Sequence, residues 1–441
     1  MRLLSLTLFI LALISCTQPV PTSRLLSENS DVALKEVVSK SLQAHAADTF
    51  RVNLQENSFV TGMANQLTVD VVVNVYGPDK KSNLGSFDEP ARGPETFQFI
   101  TKEAGMHYIV VTPFEDNKGD YTFQLNTAEL LATDPAKRVD QIVSTTIGEH
   151  SPGASIEVMK DGKVVYSKGF GYANLEYDIK NTPQTIFHIA SVSKQFTGFA
   201  IAMLADQGKV SMEDDVRKYI PELHDFGTLI TLSQLVHHTS GLRDQWNLLA
   251  MAGWRLDDVI TREQIMRIVS KQRKLNFKPG EEYVYCNTGF TLLAEVVSRV
   301  SGKSFAEWTK ENIFTPLQMS NTLFYDDHQK IVPNRAYSYF RADTIYKKSV
   351  LSYANVGATS LFTTVEDLNK WAMNFETMKV GNKHIMDMME QRYILNKGDT
   401  IDYAYGQSIG THKGLKAVSH GGGDAGYRTM LLRFPDQHLV V

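Results

Sequence analysis

Ser191 and Lys194 are separated by two residues, a spacing that places both side chains on one face if a helix begins here. A serine hydroxyl is a weak nucleophile and needs a base within hydrogen-bond reach. A lysine becomes such a base when burial or a helix N-terminus lowers the pKa of its amine. The pair therefore favours acyl transfer, with Ser191 as nucleophile and Lys194 as base. A helix start with a solvated lysine would give the same short pattern.

A second group of candidate residues follows the Pro279-Gly280 turn, where Tyr285, Cys286 and Asn287 precede an apolar helical pattern. A phenol can relay protons, and a side-chain amide can hold a substrate carbonyl. By itself the pattern fits a core tyrosine and a helix-capping asparagine equally well. Cys286 has no basic residue next to it in the sequence, so we expect a thiol that lines the cleft and is not a nucleophile.

The third candidate is His420, which is followed by Gly421, Gly422 and Gly423. Successive glycines let backbone N–H groups approach a ligand closely, and a histidine adds a polar group that titrates near neutral pH. A glycine-rich hairpin without a catalytic role is the alternative.

In this order and at these separations, the three motifs resemble those of the serine β-lactamase and penicillin-binding protein family. The resemblance covers about residues 135–441. It implies that Ser191 attacks a carbonyl, that Lys194 takes its proton and that Tyr285 relays the proton to the leaving group. It therefore implies a hydrolase of peptides, amides or esters that works through an acyl-enzyme, with D-amino-acid-containing wall peptides among the candidate substrates.

The same resemblance assigns the other motif residues to binding. The backbone N–H groups of Ser191 and Gly423 would form an oxyanion hole for the carbonyl oxygen. The residues that would contact the substrate are Asn287, His420 and Gly422.

The sequence departs from the family pattern at two positions. His420 replaces the usual lysine, and Cys286 replaces the usual serine or alanine. The histidine form is found among D-amino-acid peptidases and esterases, and it weakens the case for efficient antibiotic hydrolysis. Peptidase, esterase and β-lactamase activities stay open at this point. Outside the enzymes, the rival interpretation is a protein that binds or senses cell-wall fragments with little turnover.

The elements that must position these residues form an α/β (α+β) pattern. Helices are predicted over 135–147 and Gly289–Val300, and capping boxes begin further helices after Thr231 and Ser304. Strands at both ends of the region enclose these helices. The predicted fold is an antiparallel sheet flanked by helices, together with an all-α region, as in β-lactamase-like proteins.

Residues 41–126 have a different character. Alternating valines from Val69 to Val75 and recurrent turn signals indicate strands, and no helical period of useful length appears. The sequence predicts a small all-β sandwich, joined to the later region by a linker over 127–134. This unit is similar to the pre-peptidase C-terminal family of accessory domains, which implies substrate or wall binding. A spacer or folding aid is the alternative.

The N-terminus resembles the signal of a bacterial lipoprotein. Residues 1–16 combine a basic start, an apolar run too short to span a bilayer and a lipobox-like end at Cys16. The resemblance implies cleavage before Cys16 and lipidation of its sulfur, with residues 17–40 as a tether. We expect a periplasmic or cell-surface lipoprotein that meets the membrane only through this anchor.

Composition limits the other partners. The formal net charge of −4 does not favour nucleic acid, and the absence of a His-Glu-x-x-His pattern or a cysteine pair predicts no metal site and no cofactor. A nucleophile-elbow pattern centred on Ser408 belongs to α/β-hydrolases, but the accompanying glycine motif stands in the wrong order for that fold.

The C-terminal pattern ends soon after a turn. A strand over Tyr427–Phe434 is followed by a turn and a short returning strand that stops at Val441. In the resembling family this strand is longer and a helix follows it. We therefore expect this sequence to be a fragment or a truncated product.

Overall fold

The computed structural model describes residues 30–88, 93–148, 150–342 and 345–441. Its contacts divide the described residues into two compact units, with the boundary between Thr146 and Ile147. The predicted signal peptide, Cys16 and most of the predicted tether lie outside the described residues.

The first unit contains two antiparallel four-stranded sheets, in the orders β1-β8-β3-β6 and β2-β7-β4-β5. Apolar side chains from the inner faces of both sheets form one core, as expected for a sandwich. Its strands are β1 (Val37–Leu42), β2 (Asp48–Leu54), β3 (Ser58–Gln66), β4 (Val71–Tyr76), β5 (Asn83–Phe87), β6 (Gly93–Ile100), β7 (Gly105–Pro113) and β8 (Gly119–Leu130).

The boundaries of this unit differ from those predicted. Strand β1 begins inside the segment 17–40 that was predicted to be a tether, and it pairs with β8 along its whole length. Strand β8 continues to Leu130, into the predicted linker 127–134, because Ser58 to Thr61 of β3 pair with this extension. Sequence patterning alone does not reveal such pairings, since the partner strands lie far away along the chain.

Helix α1 (Pro135–Ser144) begins where predicted but ends before Ile147. Asp134 caps it, accepting a hydrogen bond from the Lys137 N–H at 2.9 Å. The sequence predicted that the hydrolase domain begins with this helix, whereas the contacts of the structure group the helix with the first unit. The Gln141 amide donates to the Leu130 carbonyl at 2.8 Å, so the boundary between the units lies after the helix.

The second unit is mixed. Its strands are β9 (Ala154–Lys160), β10 (Lys163–Phe170), β11 (Tyr172–Asn174), β12 (Ile179–Lys180), β13 (Phe187–His188), β14 (Val259–Thr261), β15 (Leu323–Phe324), β16 (Tyr339–Ala342), β17 (Ile345–Lys348), β18 (Ser352–Ala354), β19 (Leu361–Thr363), β20 (Ser408–His412), β21 (Leu415–Asp424), β22 (Tyr427–Phe434) and β23 (Leu439–Val440). Its α-helices are α2 (Ser193–Asp206), α3 (Leu232–Val236), α4 (Gln245–Met251), α5 (Arg262–Ser270), α6 (Asn287–Ser301), α7 (Phe305–Thr309), α8 (Val365–Thr377) and α9 (Lys383–Met389).

The main sheet of this unit is antiparallel and has the order β10-β9-β23-β22-β21-β20. Helix α2 is buried along most of its length, and so is the first two-thirds of α6. This arrangement confirms the predicted class of an antiparallel sheet with flanking helices and a helical region. Within the described residues, no helix is long and apolar enough to span a membrane.

Strand β23 fills only one end of the space between β9 and β22. It pairs with Met159 and Lys160 on one side and with Arg433 and Phe434 on the other. Farther along the two strands lies a cavity of about 370 Å³, which Val441 also lines. The expectation that this sequence is a fragment or a truncated product stays a prediction.

Candidate active site

Ser191 lies in a 3-10 turn, Ala190–Val192, that leads directly into helix α2. The preceding Ala190 has a φ of 49°, in the left-handed region that costs a non-glycine residue about 1–2 kcal/mol. Contacts on both sides hold this conformation: the Ala190 N–H donates to His188 Nδ1 at 3.3 Å, and the Ile189 N–H donates to the Leu361 carbonyl at 3.0 Å. The bend leaves Ser191 half-buried at the start of the helix.

The amine of Lys194 lies within hydrogen-bond distance of three oxygen atoms. Its Nζ is 3.0 Å from Ser191 Oγ, 2.8 Å from Asn287 Oδ1 and 2.8 Å from the Ala358 carbonyl. The side chain is completely buried, and this burial lowers the pKa of Lys194 to about 7. The amine is therefore partly neutral at physiological pH.

These contacts determine where the hydrogens and the lone pair of the neutral Lys194 amine point. Two N–H groups of the amine donate to Asn287 Oδ1 and to the Ala358 carbonyl, because both of these oxygens can only accept. The nitrogen lone pair is left facing Ser191 Oγ, the remaining contact. Lys194 can therefore accept the hydroxyl proton of Ser191, as its predicted role as base requires.

Tyr285 lies against the same amine, with Lys194 Nζ 4.8 Å from the centre of its ring. The ring of His238 packs on it with centroids 4.3 Å apart, which fixes its orientation. Burial raises the pKa of Tyr285 above its ordinary value, against the opposing effect of a hydrogen bond with Ser191. The phenol is therefore neutral near pH 7 and can donate a proton, as a relay requires.

Asn287 was predicted to contact the substrate, which stays a prediction, and its side chain also binds two protein groups that use one of its two amide hydrogens. Its Oδ1 accepts from Lys194, and its Nδ2 donates to Asp244 Oδ2 at 2.9 Å. The Asn287 backbone N–H donates to the same Asp244 oxygen at 2.6 Å. Asn287 therefore positions the lysine. Asp244 was not predicted, because the only local signal of this residue is that it caps helix α4.

His420 is buried, and both of its ring nitrogens lie close to protein groups. Nδ1 is 2.6 Å from the Gly421 carbonyl, and Nε2 is 2.9 Å from the Tyr403 hydroxyl. Because a carbonyl only accepts, Nδ1 carries the hydrogen and Nε2 accepts from Tyr403. Burial, with a smaller effect of Lys194, lowers the pKa of His420 to about 4. The expectation that this histidine titrates near neutral pH was therefore wrong.

Gly422 brings strand β21 against the turn that carries the nucleophile. A Cβ at this position would lie 2.4 Å from the Ile189 carbonyl oxygen, so only glycine fits. Gly423 is exposed, and strand β20 pairs with β21 only as far as Ser419. Beyond Ser419, no strand of the described chain covers this edge of β21. The edge is thus open for the Gly423 N–H to act as predicted.

The geometry of Ser191, Lys194 and Tyr285 agrees with the comparison of the whole sequence with known families. The profile of the family described as Beta-lactamase matches residues 139–441, more than half of the chain. The chain belongs to the beta-lactamase family. The predicted β-lactamase-like serine hydrolase fold is therefore confirmed for the second unit.

Named relatives agree with this family. Penicillin-binding protein 4* of Bacillus subtilis (strain 168) is 29% identical over 315 residues, 67% of this chain and 68% of that protein. D-aminopeptidase of Gluconobacter oxydans (strain 621H) is 26% identical over 292 residues, 66% of this chain and 55% of that protein. The octameric penicillin-binding protein homologue from Pyrococcus abyssi matches with a TM-score of 0.58 and 31% identity, over 66% of this chain and 68% of that one. The chain thus spans about half to two thirds of the length of these relatives.

Cys286 of this beta-lactamase family member does not line the cleft as predicted. Its side chain is 4% exposed, and Sγ lies 3.3 Å from the Leu242 carbonyl. Burial raises the pKa of the Cys286 thiol to about 12, so a thiolate does not form near neutral pH. Helix α6 begins at Asn287, and the Cys286 side chain just before it packs into the core.

A buried polar group beside the site was missed by the sequence analysis. Thr359 follows Ala358, whose carbonyl accepts from Lys194, and its hydroxyl donates to Asp424 Oδ2 at 2.9 Å. His188 Nε2 lies 3.2 Å from the same hydroxyl. Asp424 directly follows the glycine motif, but this position by itself does not reveal which groups it meets.

Ser408, the centre of the nucleophile-elbow pattern, begins strand β20 at the edge of the sheet. An elbow requires a strand, a sharp turn and then a helix. Here the chain instead forms a hairpin with β21, in which Ser408 is paired with Ser419. This arrangement excludes Ser408 as an elbow nucleophile.

Proposed function

We propose that the protein is a serine hydrolase that cleaves amide or peptide bonds through an acyl-enzyme on Ser191. The observation that carries the proposal is the contact of 3.0 Å between Ser191 Oγ and the buried amine of Lys194, whose pKa is lowered to about 7. A neutral amine beside the hydroxyl supplies the base that a serine nucleophile needs.

The reaction begins with attack on the substrate carbonyl. Lys194 takes the hydroxyl proton while Ser191 Oγ bonds to the carbonyl carbon, and the N–H groups of Ser191 and Gly423 receive the oxygen that becomes negative. Collapse of this intermediate breaks the C–N bond, and the departing amine receives a proton through Tyr285. Water then gives one proton to the neutral Lys194–Tyr285 pair as it attacks the ester on Ser191, and that proton passes to Ser191 Oγ as the C–O bond breaks and the acid is released. Removal of one oxyanion donor costs about 10²–10³-fold in other enzymes.

The substrates proposed are small peptides or amides that contain D-amino acids. The support is the relative named D-aminopeptidase, which matches 66% of this chain. An ester or a β-lactam has the same electrophilic carbonyl, so a panel of substrates must separate these classes.

The protein is further proposed to act outside the inner membrane, at the periplasm or cell surface, anchored by a lipid on Cys16. The support is the apolar run of residues 1–16 that ends at this cysteine. The intact mass of the protein extracted from membranes tests the anchor.

Covalent labelling tests the central proposal. A fluorophosphonate probe should modify the wild type, and Ser191→Ala should abolish the modification because it removes the hydroxyl that contacts the Lys194 amine. Ser408→Ala is the matched control and should be labelled like the wild type. Labelling that persists in Ser191→Ala would refute the assignment.

A substrate panel then separates the classes. D-alanine p-nitroanilide should be hydrolysed faster than its L-isomer, p-nitrophenyl acetate or a chromogenic cephalosporin. A protein that is labelled but turns over none of these would support the rival binding function.

A further inference from the structure

Asp424 has a carboxylate that interacts electrostatically with the proposed catalytic lysine. It ends strand β21 on the same face as Gly422, because alternate residues of a strand point the same way. Its Oδ2 accepts from Thr359, whose neighbour Ala358 accepts from Lys194. The side chain as a whole remains 17% exposed, so it is not completely enclosed by the protein.

Arg428 and Lys194 attract this carboxylate electrostatically, but neither forms an ion pair with it among the described residues. His188 Nε2 is 4.0 Å away, but burial lowers the pKa of His188 to about 3. Arg428 donates through Nη1 to the carbonyls of Ala425 and Tyr427 at 3.1 and 2.7 Å. Lys194 is occupied by its three oxygen contacts and is neutral when it acts as base. Among the described residues, Asp424 thus has no cationic partner in direct contact.

A carboxylate in this environment is costly to leave unpaired. Burial raises the pKa of Asp424 to about 6, which reports the unfavourable desolvation of its charge. An arriving cation would remove much of this cost. Partly buried charged hydrogen bonds of this kind discriminate strongly between ligands that have the charge and ligands that lack it.

The position of Asp424 selects which cation fits. It directly follows Gly423, whose N–H is expected to bind the carbonyl oxygen of the scissile bond, and adjacent Cα atoms are about 3.8 Å apart. The α-amine of an amino-acid amide lies two bonds from its carbonyl carbon. A cation so close to the carbonyl matches an α-ammonium group better than the distant amine of a long basic side chain.

We propose that the Asp424 carboxylate binds the free α-ammonium group of the substrate and makes the protein selective for amino-acid amides with an uncapped N-terminus. This inference rests on the proposed function, and it names the substrate class for the same site.

Matched pairs of substrates test the inference. The two members are D-phenylalanine amide and N-acetyl-D-phenylalanine amide, which differ in the charge of the amine. The wild type should favour the free amine in kcat/KM by at least tenfold. Asp424→Asn keeps the size and the hydrogen bond with Thr359 but removes the charge, and it should lower this ratio at least tenfold. Asp436→Asn, at an exposed turn after β22, is the control and should keep the ratio of the wild type.

The outcomes separate this inference from the function on which it rests. An unchanged ratio in Asp424→Asn, or a wild type without preference, would overturn the role of Asp424 while leaving the hydrolase intact. Fluorophosphonate labelling measured in parallel reports Ser191 independently of the amine. Absence of both labelling and turnover in a folded wild type would instead overturn the proposed function.

Discussion

At the scale of single residues, the pKa of Lys194 decides when the site can work. The amine must be neutral to accept the Ser191 proton, and burial places its pKa at about 7. The neutral fraction grows as the pH rises, so kcat/KM for a neutral ester should increase about tenfold per pH unit below pH 7 and level off above it. A pH–rate profile from pH 5 to 9 measures this rise, which is the acid limb of the profile. A flat profile would contradict the role of Lys194 as base.

Asp244 should act on the reaction only through Asn287 and Lys194. Its carboxylate fixes the Asn287 amide and raises the pKa of Lys194 electrostatically. Asp244→Asn removes that charge, so the acid limb of the pH–rate profile should move to lower pH, and loss of positioning should lower the plateau about tenfold or more.

A matched variant distinguishes this effect from simple damage to the fold. Asp225→Asn removes an exposed carboxylate that pairs with Arg217, away from the site, and should leave the acid limb in place. If Asp244→Asn lowers the plateau without moving the limb, Asp244 has only a structural role.

At the scale of elements, the site depends on how closely strand β21 approaches the turn before helix α2. Gly422→Ala would place a methyl group 2.4 Å from the Ile189 carbonyl oxygen and force the strand away. Overpacking of this kind costs about 1–3 kcal/mol of stability. We also expect at least a 10²-fold loss of kcat/KM, because small misplacements of reacting groups cost about that much.

Gly421→Ala provides the matched control for Gly422→Ala. Its added methyl group would be 3.7 Å from the flexible end of Met430, which is an ordinary contact. Thermal melts and kcat/KM should therefore stay near the wild type. Equal losses of kcat/KM in the two variants would show that the flexibility of the glycine segment matters, and that the close approach of Gly422 to Ile189 does not.

At the scale of the whole molecule, the two units have separate hydrophobic cores that share no residue. Phe123 is fully buried in the sandwich and stacks on Phe50 with ring centroids 3.8 Å apart. Phe123→Ala should therefore destabilise the sandwich by about 3–5 kcal/mol and lower one calorimetric transition. The temperature at which the protein loses fluorophosphonate labelling should stay at the wild-type value. A single shifted transition would show that the units unfold together.

The sequence by itself determined the parts of this protein that depend on local geometry. Helical spacing places Ser191 and Lys194 on one face, and alternating valines indicate the strands of the sandwich. Capping boxes likewise located the starts of α3 and α7. Local rules suffice here because backbone geometry fixes these relations within a few residues.

The tertiary structure alone decided the partners and the protonation of the site. Asn287 meets Asp244 across 43 positions, and Asp424 meets Thr359 across 65, so no local pattern encodes either contact. The lowered pKa of Lys194 and that of His420 arise mainly from burial, which depends on how separate elements pack. The sequence therefore named the reacting groups, and the packing of distant segments determined which of them hold substrate, which hold one another and which carry a proton.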